Sequence, residues 1–319
     1  MTLEGIDFFF RKIRPQVQTQ PSKRAIDKTV ATKIVALDGT GDFDNIQAAI
    51  NALPSTGGIV YIKEGTYPIT TSIALGNKTT LQGAGRGTKL RADAAVSVIN
   101  TNLKTEVRIS NLEIDAQAQS GITCIGLSNC NEAMIDGVWI TGGYAEGIRL
   151  SACARNIVSN CYLEHTANYN SEPMLIDGNG ADHNIITGNK IVLAGSQPAN
   201  GIRLWTASGT VNENTILGNN ISGAAPAGAG AGININVAGV EDTLVVGNTV
   251  INSGAKIYNN GTRSKIWGNI GEQLFTAASS TGTGTIKFAG TTSRNSTGWL
   301  SYYTGTTLHY LPVFETITG

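Results

Sequence analysis

The feature that most constrains this chain is a phrase that returns seven times: an apolar residue, a variable one, Asn or Gly, then a second apolar residue. It reads ISNLEI at Asn111, IDGVWI at Gly137, VSNCYL at Asn160, ITGNKI at Asn189, ILGNNI at Asn219, VVGNTV at Asn248 and IWGNI at Asn269. Successive centres lie roughly 21 to 30 residues apart, which is the repeat length of stacked supersecondary units. The uneven spacing predicts coils with loops of different length rather than a rigid array of the leucine-rich kind. A second phrase is interleaved with the first: GITCIGL from Gly121, GIRLSA from Gly147, MLIDG from Met174, GIRLWT from Gly201 and GININV from Gly232. Each coil therefore offers at least two short strands with alternating apolar residues, bounded by Gly/Asn turns.

A strand of four or five residues cannot bury its inward face alone. Laid on the equivalent strand of the next coil, it gains a parallel ladder and encloses Ile, Leu and Val in a continuous core. The expected fold is an all-β, right-handed parallel β-helix. The asparagines are expected to stand in one column, Asn111, Asn160, Asn189, Asn219 and Asn248, with side-chain amides bonding up and down and the backbone tolerating the left-handed conformation. After residue 55 no long stretch keeps a 3.6-residue period, so a helical solenoid does not fit.

Open ends of such a stack invite pairing with other chains and need covers. After TKIVAL and the turn DGTGD comes FDNIQAAINALP. Its Ile46, Ala49, Ile50 and Leu53 share one helical face and Pro54 closes it, which predicts a capping helix over about 43–53. The chain divides into an N-terminal arm (1–30), the β-helix (31–270) and a C-terminal segment (271–319). In the last, GWLSYYTGTTLHYLPVF places two β-like runs about TGTT and predicts a hairpin. The arm carries FFF among polar residues. It reads either as a docking segment or as a frayed terminus.

Lys plus Arg and Asp plus Glu both number 23, so the net charge is zero, and no concentrated basic surface calls for nucleic acid. No apolar run reaches the 18 to 20 residues a membrane span needs, and MTLEGIDFFFRKIRPQ lacks the form of a secretory signal. Cys124, Cys130, Cys153 and Cys161 show no paired zinc spacing. Cys130 and Cys153 end the similar phrases GLSNC and RLSAC. One coil apart, their Cα atoms would be about 4.8 Å from each other, which fits either a disulfide or a ladder of buried thiols.

The run LDGTGDFDNIQAAINALPSTGGIVYIKEGTYPI, followed by KTTLQGAG, resembles the opening of the pectate-lyase-like β-helix superfamily. That superfamily includes polysaccharide lyases, polygalacturonases, pectin esterases and phage tailspikes. The resemblance extends over about residues 33–270. It implies the fold, while one fold hosts many functions. The marks of its enzymes are missing: no NTD run, no DD pair, no G-H-G turn, no R-I-K run. The resemblance therefore points to a tailspike-like virion appendage, expected to be a homotrimer located in the virion or on an extracellular surface. It would contact other virion proteins through residues 1–30 or 271–319 and bind glycans.

The second phrase also offers candidate site residues. With Ile148 and Leu150 inward, Arg149 and Ser151 point outward. The same register puts Leu175 and Asp177 outside on the next coil, then Arg203 and Trp205, then Asn234 and Asn236. Arginine, a carboxylate and an exposed Trp are the equipment of a sugar-binding groove, and also of an ordinary solvated strip. Glu146 and Glu172 precede these strands on neighbouring coils. About 5 Å apart, with Asp177 as a third acid, they would suit glycoside hydrolysis, mutual repulsion raising one pKa. Glu164, His165 and Tyr169, at the loop EHTANYNSEP, form a second candidate cluster; His183 lies nearby and His309 in the hairpin reads as structural. No cofactor and no metal centre is expected. Three functions stay open: a virion appendage, a carbohydrate-active enzyme on an acidic polysaccharide, and a cell-surface adhesin.

Overall fold

A computed structural model describes residues 32–117, 119, 121–166, 172–194, 200–223, 230–251, 255–270, 273–275, 299–304 and 307–312. The chain winds through three parallel sheets. The first has ten strands, from Thr32–Val35 to Lys265–Trp267; the second has eight, from Gly65–Ile69 to Thr249–Ile251; the third has eight, from Ile99–Asn102 to Gln273–Phe275. A typical coil gives one strand to each, as in Met134–Asp136, Trp139–Thr141 and Glu146–Ser151. The chain is thus an all-β parallel solenoid.

Equivalent residues lie directly over one another. In the first sheet Leu81, Ile109, Ile135, Val158, Ile186, Ile216 and Val245 pair in that order, and all are buried. Such strands gain ladder bonds above and below, while the inward side chain of each adds to one unbroken core. Only by stacking does a three-residue strand bury enough to be stable.

The corner between the first and second sheets corrects the asparagine column. Asn111, Gly137, Asn160, Gly188, Gly218, Gly247 and Gly268 all have φ between 52° and 65°. They share the left-handed position, which Asn and Gly adopt most readily. Asn189, Asn219, Asn248 and Asn269 stand one residue later, facing inward. There the Nδ2 of each donates to Oδ1 of the next at 2.9 Å. Leu112, Val138 and Cys161 fill the same inward position in the earlier coils. The Cys161 N–H caps the ladder by donating to Asn189 Oδ1 at 2.9 Å. Asn111 and Asn160 therefore belong to a different column from the other three. A second, unforeseen ladder runs before the first-sheet strands through Asn156, Asn184 and Asn214, with amide bonds of 2.8 and 2.9 Å. Its signal was present in RNIV, HNII and ENTI.

Helix α1 spans Ile46–Asn51, shorter than expected at both ends. Phe43 is extended and bridges Val35 instead. Asn45 caps the helix, its Oδ1 accepting the Ala48 N–H at 2.9 Å. Ile46, Ala49 and Ile50 are buried beside the Thr32–Val35 and Gly58–Ile62 strands. The four cysteines are free and buried: Cys130 and Cys153 stack as thiols, the Cys130 N–H reaching Cys153 Sγ at 3.2 Å, and form no disulfide. Trp299–Thr304 and Thr307–Pro312 pair antiparallel as a hairpin. The expected arm, residues 1–30, lies outside the described residues, and no described helix is long and apolar enough to cross a membrane.

The two asparagine positions predict opposite outcomes. Asn219→Ala takes the shared acceptor from the backbone N–H and a side-chain N–H of Asn189 in the core and should cost about 2 to 4 kcal/mol, at roughly 1 to 3 per orphaned group. Asn160→Gly, at the exposed left-handed position, should change stability by less than about 1 kcal/mol. Urea denaturation of both variants measures the contrast.

Candidate functional site

The third sheet carries the candidate strip, and glycine explains how its strands pack. A Cβ on Gly201 would meet the Gly232 carbonyl oxygen at 2.6 Å and Ile221 Cγ2 at 2.7 Å; one on Gly147 would meet the Pro173 oxygen at 2.5 Å. Glycine at these points lets backbone approach backbone. The following Ile148, Met174, Ile202, Ile233 and Ile257 then drop into the core. The next residues face outward in one row: Arg149, Leu175, Arg203, Asn234 and Tyr258. A second row joins Ser151, Asp177 and Trp205, while Glu146 pairs with Glu172. The strip read from the sequence is therefore assembled in register, independently of the corner asparagines.

Its charges are mutually consumed. Arg149 grips Asp177 with two bonds, Nε to Oδ1 at 3.2 Å and Nη2 to Oδ2 at 2.7 Å. Arg203 Nη1 donates to Glu172 Oε1 at 2.9 Å and its guanidinium lies 5.4 Å from the Trp205 ring. Glu146 accepts from Thr123 Oγ1 at 2.7 Å and lies 4.0 Å from Arg149. Asn200 adds an amide relay, Nδ2 donating to Glu172 at 3.3 Å while Oδ1 accepts from Ala231 N–H and Asn234 Nδ2. Thr123 and Asn200 were missed in the sequence. Asn200 had a signal, since it precedes the glycine of NGIRL. Two expectations need correction. Leu175 and Asp177 lie on the outer face yet are only 6% and 4% exposed: Leu175 sits between Arg149 and Arg203, whose stems flank it, and the Arg149 guanidinium covers Asp177.

The family model "Rhamnogalacturonase A/epimerase, pectate lyase-like" matches residues 35–253, over half the chain. The protein belongs to this pectate-lyase-like family. Among solved structures, the chain resembles ORF18 of Geobacillus virus E2 (13% identity, 89% of this chain and 69% of that one, TM-score 0.53). It also resembles the A-module of mannuronan C-5 epimerase AlgE6 from Azotobacter vinelandii (17% identity, 70% of each chain, TM-score 0.52). A third likeness is to the Dettilon tailspike protein (16% identity, 75% and 54%, TM-score 0.47). At these identities the likeness is one of fold. No curated protein matches this chain.

In this pectate-lyase-like coil the second candidate cluster is taken apart by strand alternation. Glu164 points outward and accepts from Tyr162 Oη at 3.0 Å. His165 points inward, is 1% exposed and meets the buried Tyr144 edge-on at 5.1 Å between ring centroids. It is therefore not a surface ligand, contrary to expectation, and Tyr169 lies outside the described residues. His183 stands apart at a corner, with Nε2 2.7 Å from Glu213. Among the described residues no group of three or more His, Cys, Asp or Glu converges.

Burial, opposed by a backbone bond at Tyr144, holds the His165 pKa below its ordinary value. Between the unfolded and folded pKa values the unfolded chain binds the extra proton. His165 thus lends stability that is present above about pH 6.5 and is lost as pH falls through the lowered value. The thermal midpoint should drop more between pH 7.5 and 5 in the native chain than in His165→Phe, as followed by circular dichroism.

Proposed function

We propose that this protein is a glycan-binding β-helical appendage of a virion or extracellular surface, with the third-sheet strip as its binding face. The observation that carries the reading is the register that gathers Arg149, Arg203, Trp205, Asn234 and Tyr258 on one outer face. An aromatic ring beside fixed donors and acceptors is what a sugar ring needs, its apolar face stacking and its hydroxyls bonding. A fold shared with a protein of Geobacillus virus E2 supports the virion placement. A homotrimer is part of the proposal. Its support is the outward row on the first sheet where Leu217 and Trp267 are 42% and 51% exposed, with Ile185 nearby, because clustered exposed apolar side chains mark association faces. Contacts to other virion proteins are assigned to residues 1–30 or 271–319.

The second reading, a carbohydrate-active enzyme, rests on Glu146 and Glu172 standing in register on adjacent coils. Each is already matched by a guanidinium or a hydroxyl, and Asp177 is tied to Arg149, so the three acids serve first as anchors for the two arginines.

On a glycan array the protein should bind without shortening its ligands, and Trp205→Ala should weaken binding about tenfold, the scale of one lost aromatic contact. Release of reducing or unsaturated ends, abolished by Glu146→Gln or Glu172→Gln, would transfer the assignment to the enzyme reading. Sedimentation should give a mass about three times the 33.4 kDa chain; a monomer would remove the trimer from the proposal.

A further inference from the structure

We infer that the third-sheet strip selects a neutral, hydroxyl-rich glycan and discriminates against uronate polymers, a specificity that rests on the binding role proposed above.

The first ground is charge. Across the Glu146–Ser151, Glu172–Asp177 and Ile202–Trp205 strands stand three carboxylates (Glu146, Glu172, Asp177) and two guanidiniums (Arg149, Arg203), which leaves these three strands at minus one. Both guanidiniums are bound by the protein's own acids at 2.7 to 2.9 Å. At Arg149, which gives both Nε and Nη2 to Asp177, an arriving uronate carboxylate would have to displace that acid. The Asp177 side chain is 5% exposed, so the displaced acid would remain largely buried without its counter-ion, an expensive exchange. The other strand neighbours offer no replacement cation, since the Thr123–Ser128 and Ala231–Ile235 strands carry no charge.

The second ground is a matched pair of unfilled polar atoms. Arg203 Nε and Asn234 Oδ1 are both buried without a partner, and their residues are in-register neighbours. The amide relay fixes which end of Asn234 is left over. The Ala231 N–H requires the oxygen of Asn200 at 3.1 Å, so the nitrogen of Asn200 faces Glu172 and the nitrogen of Asn234 faces the oxygen of Asn200 at 2.9 Å. The carbonyl of Asn234 is thereby left unpartnered on the residue in register with Arg203, whose Nε–H is unpartnered too. One donor next to one acceptor is the complement of a hydroxyl, which accepts and donates through one atom. A carboxylate would satisfy Arg203 and set its second oxygen against the Asn234 carbonyl. With the Trp205 ring one residue pair away, the strip offers a stacking face and a hydroxyl socket.

The test is an array or titration with hexasaccharides of neutral hexoses and of uronates of equal length, using the full-length protein. Neutral oligomers should bind at least tenfold more tightly than uronates. Asn234→Leu should lose at least tenfold of that affinity, and its thermal midpoint shows that the variant folds. Equal or tighter binding of uronates, with Trp205→Ala still weakening it, would overturn the specificity and leave the binding face standing. Binding that is absent for both classes, or unchanged in Trp205→Ala, would overturn the binding face and the specificity with it.

Discussion

The structure depends on one constraint: each short strand must lie in register on its counterpart a coil away. A strand such as Met134–Asp136 has a single inward residue, Ile135, and no independent means of staying ordered. Stacked, it exchanges main-chain bonds with Arg108–Ser110 below and Ile157–Ser159 above, and Ile135 becomes one link in a core that runs the length of the coil stack. Parallel pairing in register forces like over like. Every later property follows, including the amide ladders and the adjacency of residues 23 to 34 positions apart in the strip.

The same constraint makes the corners costly places to err. An inward corner residue has no water to turn to, so it must be apolar, as Leu112 and Val138 are, or bonded to its own kind, as Asn189, Asn219 and Asn248 are. The switch between these solutions falls between Cys161 and Asn189, where a backbone N–H takes the place of the missing amide. The position just outside it has a different requirement, a left-handed backbone, met by Asn111 and Asn160 or by glycine. One residue type thus serves two physical demands one step apart, which is why a pattern built on Asn alone merged the two columns.

On the third sheet, close ion pairing replaces solvent on the outer face. Arg149 and Arg203 reach to acids on neighbouring coils, burying Leu175 and Asp177 beneath them. The face that results is nearly neutral and carries Trp205 and the amides of Asn200 and Asn234. Its character comes from pairing across coils more than from the side chains taken one at a time.

The repeat phrases by themselves determined the solenoid, the inward row of Ile, Leu and Val and the outward direction of Arg149, Arg203 and Trp205, because alternation and repeat length are local properties of the chain. The terminal hairpin was equally legible, with TGTT between two β-like runs. The inward turn of His165 followed from alternation too, yet the interest of its loop masked it. Only the tertiary structure decided which carboxylate each guanidinium holds, that Asp177 is covered, that Cys130 and Cys153 remain thiols, and that Asn200 links Glu172 to Asn234. Those outcomes depend on distances between coils and on side-chain reach across them, and neither is written in the order of residues along one strand.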